Sequence, residues 1–146
     1  MVQMRRLLVL LPLLAVAALF TARETTAQSV GIDGLRFTTA FPFATENVTL
    51  DAGSYTVTRV GSNPRLLKIT NDATSRTTLV SVDLGKVPAN PQYPTGVAFE
   101  RHGDNYQLSS FWDTGTGIAA NAVMPASHGQ VTVGQPTFRM VPATKQ

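Results

Sequence analysis

From residue 35 onward the chain alternates apolar and polar side chains in short runs, interrupted by clusters of Gly, Asn, Asp and Pro. Successive side chains of a strand point to opposite faces, so a period of two predicts half-buried strands. The first run covers residues 35–43 and contains Pro42, which has no N–H to give to a ladder and marks an edge or a bulge. Residues 48–50 predict a short strand leading through Asp51-Ala52-Gly53 into a longer one at 54–60. There Tyr55, Val57 and Arg59 share one face, and Thr56, Thr58 and Val60 the other. Gly61-Ser62-Asn63-Pro64 predicts a turn and residues 66–71 the return strand; a polar turn at 72–76 precedes the next strand at 77–83. Residues 84–95 carry Pro88, Pro91 and Pro94 and predict a long connection crossing between sheets.

The strongest hairpin signal follows. Residues 97–101 and 106–112 flank His102-Gly103-Asp104-Asn105, where Gly103 supplies the positive φ of a tight turn. Val97, Phe99 and Arg101 share one face, while Tyr106, Leu108, Ser110 and Trp112 share one face of the partner strand; these positions are expected to pair and build much of the core. Residues 118–123 are expected to make a helical turn before Pro125, and residues 130–141 a final strand, with Pro136 placing it at an edge. No apolar 3.6-residue period lasts long enough for a substantial helix. Seven or so short strands predict an all-β fold, a single antiparallel β-sandwich or small barrel.

The first 27 residues obey a different pattern. Arg5 and Arg6 precede an apolar run from Leu7 to Phe20, and a polar stretch ends at Thr25-Thr26-Ala27. This is the layout of a cleaved secretory signal, with cleavage expected between Ala27 and Gln28. The run is too short for a mature transmembrane helix, which needs about 20 apolar residues. Residues 28–34 then read as a leader and 35–146 as the β-domain. An exported product, periplasmic or extracellular and bacterial, is the expectation.

Removing the signal changes the charge. The whole chain carries net +3, but nine basic and eight acidic residues remain beyond residue 27, a net of +1. The basic residues are scattered, with no two adjacent, which disfavours nucleic acid as a partner. Residues 28–146 suffice for one domain with a core of its own. The absence of cysteine excludes disulfides, thiol nucleophiles, thiolate metal sites and a lipid anchor on cysteine.

Phe41-Pro42-Phe43, followed by Thr49-Leu50-Asp51-Ala52-Gly53-Ser54-Tyr55-Thr56-Val57, is similar to an F-x-F…L-P-A-G-x-Y-x-V pattern. Leu66-Leu67-Lys68-Ile69 continues the likeness, and Arg101-His102-Gly103-Asp104-Asn105-Tyr106-Gln107-Leu108 through Trp112 is similar to R-x-G-D-x-Y-x-L-x-x-x-W. Met124-Pro125-Ala126-Ser127 is similar to the L-P-x-S that often comes next. Over most of residues 37–128 the chain thus resembles a group of small exported bacterial β-rich proteins without an established activity. Asp51 stands where the group usually has proline, and residues 131–146 replace its charged tail. The resemblance implies an exported barrel-like or sandwich domain and adds no catalytic residue.

Candidate chemistry is sparse. Asp113-Thr114-Gly115 matches the tripeptide with which aspartic proteases pair two carboxylates around one proton, and a homodimer would supply the second copy. The same tripeptide is ordinary turn chemistry after a strand, and that reading is preferred. His102 and His128 are the only histidines and show no close ligand spacing, so no metal site and no cofactor is expected. No G-x-S-x-G elbow is present. Asn47-Val48-Thr49 is a glycosylation sequon, read here as strand composition. Tyr55, Phe99, Tyr106, Phe111 and Trp112 are the aromatics available to line a pocket or a sugar-stacking platform, of which Phe99 and Tyr106 fit a core better. Phe111 and Trp112 are adjacent and must face opposite ways in a regular strand, so one is expected at the surface as a binding anchor. The leading expectation is a non-enzymatic exported domain with an unidentified ligand or envelope-protein partner. A carbohydrate or small-ligand module and a dimeric aspartic hydrolase using Asp113 are the alternatives.

Overall fold

The computed structural model describes residues 31–124 and 136–146. It contains ten strands: β1 (Leu35–Thr39), β2 (Phe43–Ala44), β3 (Thr49–Leu50), β4 (Gly53–Val60), β5 (Asn63–Asn71), β6 (Thr77–Lys86), β7 (Thr95–His102), β8 (Asn105–Asp113), β9 (Ile118–Ala122) and β10 (Thr137–Lys145). No helix occurs among the described residues. Eight strands close into an antiparallel barrel in the order β1-β4-β5-β6-β9-β8-β7-β10, with β10 pairing back onto β1. The small-barrel expectation therefore holds, and closure removes most of the exposed strand edges an open sheet would leave.

β2 and β3 stand outside this ring. They form a short hairpin attached to β8 through one parallel bridge, Ala44 with Gln107. The predicted strand at 35–43 is thus two strands divided near Pro42, consistent with the missing N–H there. The segment from Thr39 to Gly53 crosses the end of the barrel that also holds the 72–76 and 103–104 turns, here termed the upper end. At the opposite, lower end lie Leu35, Lys86, Thr95, Asp113 and Lys145.

The interior is filled with aromatic rings. Phe37 lies at its centre, stacked on Tyr55 at 5.6 Å and tilted against Phe43, Phe99 and Phe111, each at 6.1 Å. Phe41 adds an edge contact to Phe99 at 5.2 Å from the upper end. Val57, Leu67, Ile69, Val80, Val97 and Leu108 complete a single core cluster. Outward faces carry Arg36, Thr38, Thr56, Lys68, Ser81 and Asp83. This apolar-in, polar-out pattern is the reverse of a lipid-embedded barrel. No helix among the described residues is long and apolar enough to cross a membrane.

Several local expectations change. Residues 31–34, read as leader, pack on the lower end: Ile32 is 1% exposed, Asp33 accepts a bond from the Arg59 N–H, and the Gly34 carbonyl accepts one from Gln146. Asn63 and Pro64 belong to β5, so the turn shrinks to Gly61-Ser62, beside a register shift at Arg59/Val60 that accommodates the proline. Residues 118–122 are a strand, not a helical turn, because they bridge β6 and β8 and close the ring. β10 is flanked on both sides, by β7 and β1, and is no edge; Pro136 precedes it. The expected strand positions 130–135 and the Met124–Ser127 motif beyond Met124 lie outside the described residues.

Candidate functional site

The hairpin β7–β8 carries the residues singled out from the sequence, and a bulge decides where they point. Ala98 pairs with Ser110 and Phe99 with Leu108, so Ser109 is an extra residue in β8. An extra residue reverses the facing of everything after it. Leu108 and Phe111 consequently both point into the barrel, and Trp112 points outward, not onto the Leu108 face as regular alternation requires. Phe111 and Trp112 do face opposite ways, but neither is at the surface: they are 0% and 1% exposed. The Trp112 ring packs with Ala98, Ala119, Val87 and Met140, and its Nε1–H donates to the Tyr93 carbonyl at 2.8 Å. The proline-bearing connection from β6 to β7 thus covers the ring. A Cβ added at Gly96 would overlap the indole, so the strand needs glycine there for close approach. Both residues have packing roles in this structure, and the surface-anchor expectation for the pair is corrected.

The same bulge sends Asp113 to the lower mouth of the barrel, where it is 6% exposed. Its Oδ1 accepts the Gly115 N–H at 2.9 Å, which makes Asp113-Thr114-Gly115 an Asx turn, and Gly117 N–H bonds back to the Asp113 carbonyl. Its Oδ2 accepts from Lys145 Nζ at 3.0 Å, and the Thr95 hydroxyl lies 3.5 Å from Oδ1. Burial pushes the carboxyl up, but the Lys145 and Gly115 bonds, the lysine charge and the threonine hydroxyl outweigh it and leave Asp113 below its ordinary value. Sequence reasoning identified this turn and missed Lys145, whose approach depends on ring closure across 32 residues.

Other candidates disperse. His102 is exposed at the end of β7, 3.3 Å from Glu100 Oε1, and His128 lies outside the described residues, as do Ala27 and Gln28. Among the described residues no three His, Cys, Asp or Glu side chains converge as metal ligands. Tyr55 and Phe99 are core residues, and Tyr106 is partly buried against Phe41 at 4.1 Å. Asn47 sits exposed in the β2–β3 turn, closed by the Thr45 N–H to Val48 carbonyl bond.

One concavity was not foreseen. A cleft of about 180 Å³ opens at the upper end between β3 and the start of β6, lined by Val48, Thr49, Leu50 and Asp51 on one side and Thr74, Arg76, Thr77 and Thr78 on the other. Tyr55 and Asn71 also line it. The Tyr55 hydroxyl is occupied by the Asp51 carbonyl, and Asn71 Oδ1 by the N–H groups of Ala73 and Thr74. Threonine hydroxyls, one carboxylate and one guanidinium therefore remain to meet a ligand. No local sequence signal marks this site, since its two walls are strands from separate parts of the chain. Compared with known proteins, the chain matches no family model, no curated sequence and no solved structure.

Proposed function

We propose that the chain is an exported, non-enzymatic β-barrel domain that acts by surface recognition, as a binding or structural component of the cell envelope. The observation that carries this reading is the filled interior: Phe37, Tyr55, Phe99 and Phe111 occupy the space in which a carrier barrel would hold cargo. Recognition then belongs to the rims and outer wall. The bonds that commit Asp113 to Lys145 and to its own turn favour a structural role over that of a proton-sharing acid. The charged start, apolar run and small-residue end of residues 1–27 support export.

A small polar ligand is the second reading, favoured by the hydroxyl-lined cleft at the upper end. Its volume lies below the roughly 300–1,000 Å³ of pockets that enclose drug-sized molecules, which weighs against deep enclosure. Expression of the full chain in a bacterial host is expected to yield periplasmic or secreted protein beginning at Gln28, read by amino-terminal sequencing; an uncleaved cytoplasmic product overturns export. A thermal-shift screen of that protein against glycans, metal ions, peptides and lipids tests binding, since a native-state ligand raises the melting temperature by mass action. A flat screen counts against the binding role and leaves the structural one.

A further inference from the structure

The sheet separates two hydrophobic clusters that share no residue. Inside the ring, Phe37, Phe99, Phe111 and their neighbours form the core; outside it, Trp112 packs with Ala98, Ala119, Val87 and Met140. The inner cluster is enclosed by the strands of the ring. The outer one lies between the wall and a single connection, residues 87–94, which joins β6 to β7 and belongs to no strand.

Trp112 shows how much depends on that connection. Its ring rests on Gly96, where an added Cβ would lie 2.4 Å from the indole, and is flanked by the small side chains of Ala98 and Ala119. Neighbours of that size cannot rise past the ring to shield its outer surface. Its burial is completed from outside the wall, by Val87, Met140 and the main chain of Tyr93.

The connection is a strap fastened at one end. Thr114 N–H donates to the Pro94 carbonyl and Trp112 Nε1–H to the Tyr93 carbonyl, each at 2.8 Å. Further back, the Gln92 amide bonds only to the adjacent Tyr93 hydroxyl, and among the described residues 88–91 make no hydrogen bond to the barrel. Pro88 and Pro91 have no N–H to offer, and Pro88, Ala89 and Asn90 are exposed. Asn90 takes φ +56° directly before Pro91, where the preceding residue prefers extended backbone. The covering conformation is therefore held by a few contacts and not by local preference.

Lifting the strap about Pro94 breaks one hydrogen bond to the wall, from Trp112 to Tyr93, together with the Val87 contact. The pairings of β6 with β9 and of β7 with β8 are untouched, and so is the inner core. An opening that breaks so little lies far below global unfolding in free energy.

We propose that residues 87–94 are a cover with two states, which opens without opening the barrel and bares Trp112 on the outer wall. This device stands whether or not the barrel binds a ligand.

Native-state hydrogen exchange of the full chain, followed by nuclear magnetic resonance at rising sub-denaturing urea, tests it. Trp112 supplies the only indole proton, and the amides of Val57 and Ile69 report on the core strands. The indole proton is expected to be protected, but less than the core amides by a factor on the order of ten or more. Its exchange should be nearly independent of urea, because a local opening exposes little surface. Val87→Ala trims the contact between strap and ring and should speed indole exchange about fourfold, with core amides and melting temperature close to wild type. Equal protection of indole and core amides, with the same urea dependence, means that the ring is uncovered only when the barrel unfolds, and overturns the proposal. An indole proton with no protection also overturns it, since the strap then does not close over the ring. So does a Val87→Ala variant in which indole exchange is unchanged, or in which the core amides lose protection by the same factor. If that variant fails to fold, the wild-type comparison decides alone.

Discussion

Asp113 shows how a residue with catalytic associations becomes structural. Asp113→Ala leaves the Gly115 N–H and the Lys145 ammonium without their acceptor and should destabilise the fold by about 1–3 kcal/mol in urea denaturation. Asp113→Asn keeps an acceptor for the turn and loses only the charge, so it should cost less. The folded carboxyl titrates below the unfolded value of about 3.9, so its contribution is complete above that value and is lost as pH falls through the folded one. The stability gap between wild type and Asp113→Asn should therefore be widest near neutral pH and close in acid; a gap that grows in acid would refute the pairing. Gly96→Ala tests the opposite wall of the same hairpin. The added methyl overlaps the Trp112 ring, and an expected loss of roughly 1–3 kcal/mol should come with a red shift in the emission of this single tryptophan. The turn at Asp113 was legible in the sequence, as was glycine at 103. Lys145 and the burial of Trp112 were not, because both depend on segments distant in sequence.

At the scale of elements, alternation identified β4, β5, β6, β7 and β8 within a few residues of their ends. It failed where an element is defined by its neighbours. β9 is Ile-Ala-Ala-Asn-Ala, with little intrinsic strand preference, and it is extended because two open edges flank it. The facing of Trp112 was misread because one unpaired serine is invisible to a period-two count. Deleting Ser109 tests that account. It restores regular alternation, which drives Trp112 toward the core and Asp113 away from Lys145, so cooperative unfolding and the near-ultraviolet circular dichroism of the packed aromatics should be lost. If the deletion variant keeps the wild-type melting temperature, the bulge is not setting the facing.

For the molecule as a whole, apolar-in and polar-out alternation was enough to specify an all-β unit of the right size, and closure into a barrel rather than a sandwich rests on two strands that bridge distant partners, β9 between β6 and β8 and β10 between β7 and β1. A chain ending at residue 136 should consequently show no cooperative unfolding transition by circular dichroism; a two-state transition in that fragment would mean that the other strands form a stable open sheet. The position of β10 also governs timing. Leu35, the first residue of β1, is registered against Lys145, so the ring has a gap until more than a hundred further residues have been made. At about 5–20 residues per second, the free edge of β1 waits roughly 5–20 seconds for β10, although β4 covers its other edge early, and pairing over such sequence separation is itself slow. Order of synthesis thus keeps the ring open until β10 has been made, a state that suits the export proposed above because an unclosed ring is still threadable.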